Sequence, residues 1–262
     1  MAFDPRTRLY VTADLAEAVS VSLDASQAHH LKNVLRLAPG APVSLFNGRD
    51  GEWRAVIEAF GKESGTARLE ARTREQVPEP DLWLAFAPVK RARIDFLVEK
   101  ATELGVSALQ PVLTERTQVE RVNLDRLRAN VREAAEQTER LTLPDVREPL
   151  PLDRALARWP AERRLLLCDE SGTAPGIASA LGAEQPGVWG VLTGPEGGFT
   201  QRELDALRNL PFVCPVGLGP RVLRADTAAL AALAVFQALL GDWRRGDGAR
   251  RRGEWGPAPA VP

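Results

Sequence analysis

Two cysteines, two histidines and four lysines are all that this chain of 262 residues contains of those types, and each shortage removes a class of chemistry. Cys168 and Cys214 each close a short apolar run, so both are expected to be buried free thiols; neither a disulfide framework nor a zinc spacing is present. The only histidines, His29 and His30, fall in the N-terminal part, which argues against a hydrolase triad. The chain also offers no His/Asp/Glu cluster for a catalytic metal. No apolar run is longer than Ala228 to Leu240, which is Ala-rich, contains Gln237 and is too short to cross a bilayer. The opening MAFDPRTRLY lacks the apolar core of a signal peptide. A cytoplasmic protein without membrane or metal is therefore expected. A net charge of −1 announces no nucleic-acid binder. Of 34 basic residues only Lys32, Lys62, Lys90 and Lys100 are not Arg. Arginine matches phosphates bidentately and stacks on bases, yet a GC-rich genome gives the same bias, so only arginines placed in motifs carry weight.

What the chain does have is two glycine-rich loops, Thr193-Gly194-Pro195-Glu196-Gly197-Gly198-Phe199-Thr200 and Leu218-Gly219-Pro220-Arg221-Val222-Leu223-Arg224. Each follows an apolar run that reads as a buried strand (Val188 to Leu192, Val213 to Val216), and each precedes a helical pattern. Such strand-to-helix turns are where α/β sheets bind ligands, and the spacing suggests one pocket built from two neighbouring strand ends. Residues 1–75 read differently, as short strands around Asn47-Gly48 and Asp50-Gly51 turns with one helix from Ser26 to Leu37, the pattern of a small β-barrel. Val77-Pro78-Glu79-Pro80 marks a boundary between 1–76 and 77–243. Beyond it, strands alternate with helices Arg93 to Leu104 and Leu124 to Leu141, as in a mainly parallel sheet. The helix through Ala228 to Leu240 is apolar nearly all round, so one face needs cover from elsewhere in the fold or from a partner subunit. Residues 244–262 are Arg, Gly and Pro, a composition that favours disorder.

Familiar nucleotide loops are absent. No Gly-Lys-Ser/Thr follows GPEGGFT, no Gly-x-Gly-x-x-Gly follows the first α/β strand, and no Gly-x-Ser-x-Gly elbow occurs. A cofactor held largely by backbone groups remains. GPEGGFT followed by LGPRVLRADTAAL resembles the signature pair of the SPOUT methyltransferases. With His30, Val34-Leu35-Arg36, Lys90, Glu99 to Gly105, Glu115-Arg116, Glu136-Gln137 and Arg140, the chain resembles the ribosomal RNA small-subunit methyltransferase E family over roughly residues 6–243. That family methylates N3 of a uridine in 16S rRNA.

The resemblance implies an N-terminal PUA-like β-barrel, a trefoil-knotted α/β domain, a homodimer, and S-adenosyl-L-methionine bound in the knot. It places cofactor contacts on Leu192, Thr193, Gly194, Pro195, Glu196, Gly197, Gly198, Leu218, Gly219, Arg221, Leu223 and Thr227. Removing the uracil N3 proton requires nearby donors for the anion, and Arg221 and Arg224 are the candidates for positioning the base or a phosphate. Glu196 would orient an arginine or the cofactor amine. Docking of the RNA falls to Arg8, His30, Arg36, Lys90, Arg116 and Arg140. Two positions depart from the family pattern: Asp226 stands where Glu is usual, and Glu139 where Gly is usual. Other readings are a related methyltransferase with a tRNA or ribose 2′-hydroxyl target, and a non-catalytic assembly factor that binds rRNA.

Overall fold

The computed structural model describes residues 7–119 and 121–244, without the side chain of Arg91. They fall into two compact units: one runs to Pro78 and also takes in Ala135–Thr142, and the other is formed by Glu79–Ala134 and the residues from Leu143 on. Beyond Arg244, the Arg/Gly/Pro tail lies outside the described residues.

The first unit is a five-stranded sheet of β1 (Arg8–Tyr10), β2 (Ser20–Leu23), β3 (Pro42–Phe46), β4 (Glu52–Phe60) and β5 (Gly65–Arg74), in the order β1-β3-β4-β5-β2. Only β1 and β3 run parallel. The Asn47 side chain shapes the β3–β4 turn by accepting the N–H groups of Arg49 and Asp50 at 3.0 and 2.9 Å. Alternate residues of these strands, among them Leu9, Val21, Leu45, Ile57 and Leu69, form the core. The expected helix over 26–37 is shorter and changes type. Helix α1 (Ala25–His29), started by an Asp24/Gln27 capping box, passes into a π-helical turn at His30–Val34. Its wider winding, with the Leu35 N–H reaching the His30 carbonyl at 2.9 Å, buries Leu31 while Val34 and Leu35 face outward.

Arg8, one of the expected docking residues, is turned inward in this fold. It is 7% exposed, and its guanidinium pairs with Glu52 at 2.6 Å. It also donates to the carbonyls of Ala135, Glu136 and Arg140 at 2.8, 3.0 and 3.1 Å. What turns it inward is a carboxylate on another strand and the carbonyl end of a helix, both far away along the chain. That helix, α3 (Leu124–Gln137), stops four residues before the expected Leu141. Two residues beyond its end, Glu139 holds φ +61°. This is the left-handed conformation in which helices commonly terminate on glycine, and it explains why a glycine suits the position.

The second unit carries the parallel sheet. Its strands are β6 (Leu82–Phe86), β7 (Ala108–Leu113), β8 (Asp145–Val146), β10 (Arg164–Cys168), β11 (Trp189–Thr193) and β12 (Val213–Val216), in the order β12-β10-β11-β6-β7-β8. The short β9 (Leu150–Pro151) pairs with β7. All pairings are parallel. The connecting helices are α2 (Arg91–Glu103), α4 (Leu152–Ala157), α5 (Ile177–Gly182), α6 (Gln201–Arg208) and α7 (Ala225–Leu239), together with α3. Near-continuous apolar strands such as Leu165-Leu166-Leu167 are buried on both faces, as the parallel arrangement requires.

The strand order corrects one expectation. β11 and β12 are not neighbours, because β10 lies between them and pairs with both. Helix α7 buries Ala229, Ala232, Leu233 and Phe236 and packs on α2, α5 and β11. Gln237, a polar interruption in the sequence, is fully buried with its amide satisfied. It donates to the Leu104 carbonyl at 2.7 Å and accepts the Asp242 N–H at 3.2 Å.

Candidate active site

Three adjacent strands, β12, β10 and β11, end on the same edge of the sheet, and each gives way to a loop: 217–224, 169–176 and 194–200. The middle loop, unmarked by any glycine signature, thus stands between the two glycine-rich ones.

The first loop is held at nearly every residue. Thr193 ends β11 buried, and its carbonyl accepts the Ala87 N–H at 3.1 Å. The turn Pro195–Gly198 closes by a 2.9 Å bond from the Gly198 N–H to the Pro195 carbonyl, with Gly198 at φ +69°. Such a φ favours glycine over any residue with a Cβ. The Glu196 carboxylate is ion-paired with Arg93 of α2. Arg116 donates to the carbonyls of Gly197 and Phe199 at 2.9 and 3.4 Å. The Phe199 N–H donates to Glu170 at 2.8 Å. Next comes the expected capping box: the Glu203 N–H reaches the Thr200 hydroxyl at 3.3 Å, and the Glu203 carboxylate accepts the Thr200 N–H at 2.8 Å.

The second loop is the opposite. Among the described residues, the N–H groups of Leu218, Gly219, Arg221, Val222, Leu223 and Arg224 make no hydrogen bond, and neither guanidinium has a partner. Arg224 occupies the N-cap of α7 without a side-chain bond, so the cap residue itself satisfies none of the helix's first amides. Arg221 and Arg224 are exposed, Leu218 and Leu223 half-buried, and Val222 stands 96% exposed between the arginines. Gly219 takes φ +98°. Asp226 accepts the Thr227 N–H at 3.0 Å within the first turn of the helix, so the shorter acid serves the helix start locally. Free backbone donors, two half-buried leucines and two unspent cations make a donor set suited to an adenosine-bearing ligand held by backbone groups.

Of the expected RNA-docking residues, Lys90 and Arg116 line one cleft together with Pro88, Gln118, Glu196 and Gly197. His30 is exposed on the π-helical segment of the first unit, and Arg36 is exposed just beyond that segment at φ +56°. Arg140 is half-buried, its Nε donating to the Thr142 hydroxyl at 3.1 Å. Leu192 and Pro195 are buried beside the first loop, and Gly194 is partly exposed.

Sequence reading passes over Arg93, Asp169 and Glu170. The signal for the acids is present: the apolar run Leu165 to Cys168 opens into Asp-Glu-Ser-Gly, the same strand-to-loop pattern as the glycine loops. The Asp169 side chain is buried. Burial favours its neutral form, but hydrogen bonds from Ser171 and the Arg208 guanidinium outweigh that and hold the carboxyl below its ordinary value. Burial, reinforced by the Glu170 charge, pushes the Cys168 thiol up to about 12, so it is no nucleophile at neutral pH. No group of three or more His, Cys, Asp or Glu is placed to hold a metal among the described residues, and none of their helices is long and apolar enough to cross a membrane.

Comparison with known proteins agrees with this geometry. Residues 76–237 match the model of an RNA methyltransferase domain, and residues 23–70 that of an RNA methyltransferase PUA domain, which defines the class. The chain is 33% identical over 238 residues to the ribosomal RNA small subunit methyltransferase E of Rickettsia conorii, covering 88% of this chain and 95% of that one. To its counterpart in Synechocystis it is 37% identical over 239 residues, covering 89% and 78%. The crystal structure of the Neisseria gonorrhoeae enzyme of that name, bound to S-adenosyl methionine, superposes with a TM-score of 0.80 at 30% identity over 90% of this chain and 99% of that one. The chain belongs to the ribosomal RNA small subunit methyltransferase E family.

Proposed function

We propose that this protein methylates N3 of a uridine in 16S rRNA of the small ribosomal subunit, using S-adenosyl-L-methionine. The observation that carries the proposal is the second loop, whose backbone donors and two guanidinia are unspent on the same sheet edge as a first loop already fixed in place. In this reading the backbone of Leu218, Gly219, Arg221 and Leu223, with Leu192 to Gly198 and Thr227, holds the cofactor. When bound, the cofactor supplies an electrophilic methyl group. What is asked of the protein is alignment and the handling of one proton. The uracil N3–H is a weak acid, and its anion needs cations nearby. Arg221 and Arg224 lie in that loop without a side-chain partner among the described residues, and their charge favours the deprotonated base. Glu196, oriented by Arg93, faces the cleft that Lys90 and Arg116 share, where RNA phosphates are the matching ligand. His30, Arg36 and Arg140 add basic surface on the first unit.

The same reading extends to a cytoplasmic homodimer whose partner covers part of the apolar surface of α7, and to a chain end threaded as a trefoil knot. Mass spectrometry of 16S rRNA from a strain lacking the gene tests it: N3-methyluridine is expected to disappear and to return with the wild-type gene. An unchanged level would overturn the reading. Calorimetry with S-adenosyl-L-methionine separates an enzyme, which binds it, from an assembly factor that does not.

A further inference from the structure

The peptide units from Gly197 to Phe199 are gripped from both sides by side chains of opposite charge. Glu170, on the loop that follows β10, accepts the Phe199 N–H at 2.8 Å. Arg116, on the loop that follows β7, donates to the Gly197 carbonyl at 2.9 Å and to the Phe199 carbonyl at 3.4 Å. Gly198 lies directly under the carboxylate: a Cβ there would sit 2.5 Å from the Glu170 oxygen, and its φ of +69° is one that glycine alone adopts at no cost. Two consecutive glycines have wide conformational freedom. A donor pair and an acceptor from outside the loop remove it, leaving the Glu196 and Gly197 backbone and the Glu196 side chain in one arrangement. The Phe199 ring anchors the loop's far end in the core, so the grip acts on the segment between Pro195 and that anchor.

We propose that Glu170 and Arg116 are positioning residues of the methyl-transfer site, fixing the Gly197–Phe199 backbone so that the loop meets the cofactor preformed. This rests on the reading of that loop as part of the cofactor site. It also gives Arg116 a role toward its own chain rather than toward RNA alone. Both residues are exposed loop residues, so their removal leaves the hydrophobic core intact.

The test uses the full-length protein, titrating S-adenosyl-L-methionine by calorimetry and measuring KM for small-subunit RNA. Glu170→Ala and Arg116→Ala are each expected to weaken cofactor binding by about tenfold, the effect of one charge-assisted hydrogen bond, with thermal midpoints near that of the wild type. Glu170→Gln keeps an acceptor oxygen and is expected to bind within about threefold of the wild type. A merely structural role would lower the midpoint of all three variants and leave their cofactor affinity unchanged once folded. The proposal is overturned if wild-type protein binds the cofactor and Glu170→Ala binds it equally well, or if Arg116→Ala raises only the RNA KM. If the wild type itself fails to bind, the underlying reading falls, and this proposal with it.

Discussion

The two glycine-rich loops look alike in sequence and differ in how their polar groups are spent. In the loop 194–200, Arg93, Arg116 and Glu170 reach in from three other elements, and a capping box closes the helix start behind it. In the loop 217–224 the Gly217 N–H bonds to the Pro175 carbonyl, but the amides from Leu218 to Arg224 and both arginine side chains have no partner among the described residues, and Arg224 caps α7 without a side-chain bond. The first loop is built by the chain; in the proposed function the second is left for the cofactor to complete. The same division sorts the arginines. Arg8 and Arg208 are spent within the fold, so their loss should be felt in stability. Arg221 and Arg224 are unspent, so their loss should be felt in turnover.

The sharpest way to break this division is to remove one arginine of each kind. Arg8→Ala leaves the buried Glu52 carboxylate to Arg74 alone and removes the donors to the carbonyls at the end of α3, and should lower unfolding free energy by about 3 kcal/mol, the low end of the cost of breaking a buried ion pair, measured by urea denaturation. Arg221→Ala should instead cut kcat/KM for methylation by about a hundredfold or more, as for loss of a donor to a developing anion, at unchanged stability. Full activity of a folded Arg221→Ala protein would remove that residue from the mechanism.

Smaller effects sharpen the contrast. The Asp169 carboxyl lies below its ordinary value in the folded state, so the stability it contributes is complete above the unfolded carboxylate pKa of about 3.9 and disappears as pH falls through the lower folded value. The thermal midpoint should therefore fall with acid below about pH 4, and Asp169→Asn should flatten that slope. An identical slope in the variant would exclude Asp169 as its source. Glu139→Gly, which relieves φ +61°, should raise stability by about 0.5–1 kcal/mol in the same denaturation assay.

Much of this was legible in the residues. The loops, the strands that feed them, the Thr200–Glu203 box and the alternation of strand and helix follow from local pattern, because turn chemistry and apolar periodicity act over a few residues. Strand order did not follow, since β10 enters between β11 and β12 by a crossover that no local signal encodes. Arg8 read as surface for the same reason: its partners lie 44 and 127 residues away. Glu170 went unmarked because its role depends on a glycine brought beneath it only by that strand order.

Hydrogen exchange with and without S-adenosyl-L-methionine tests most directly whether one loop is preformed and the other completed by its ligand. Amides of 218–224 should slow by more than about tenfold on binding, while the Phe199 amide, already bonded to Glu170, should change by less than about threefold. Equal slowing in both loops, or protection confined to 194–200, would contradict the division on which the proposed mechanism stands.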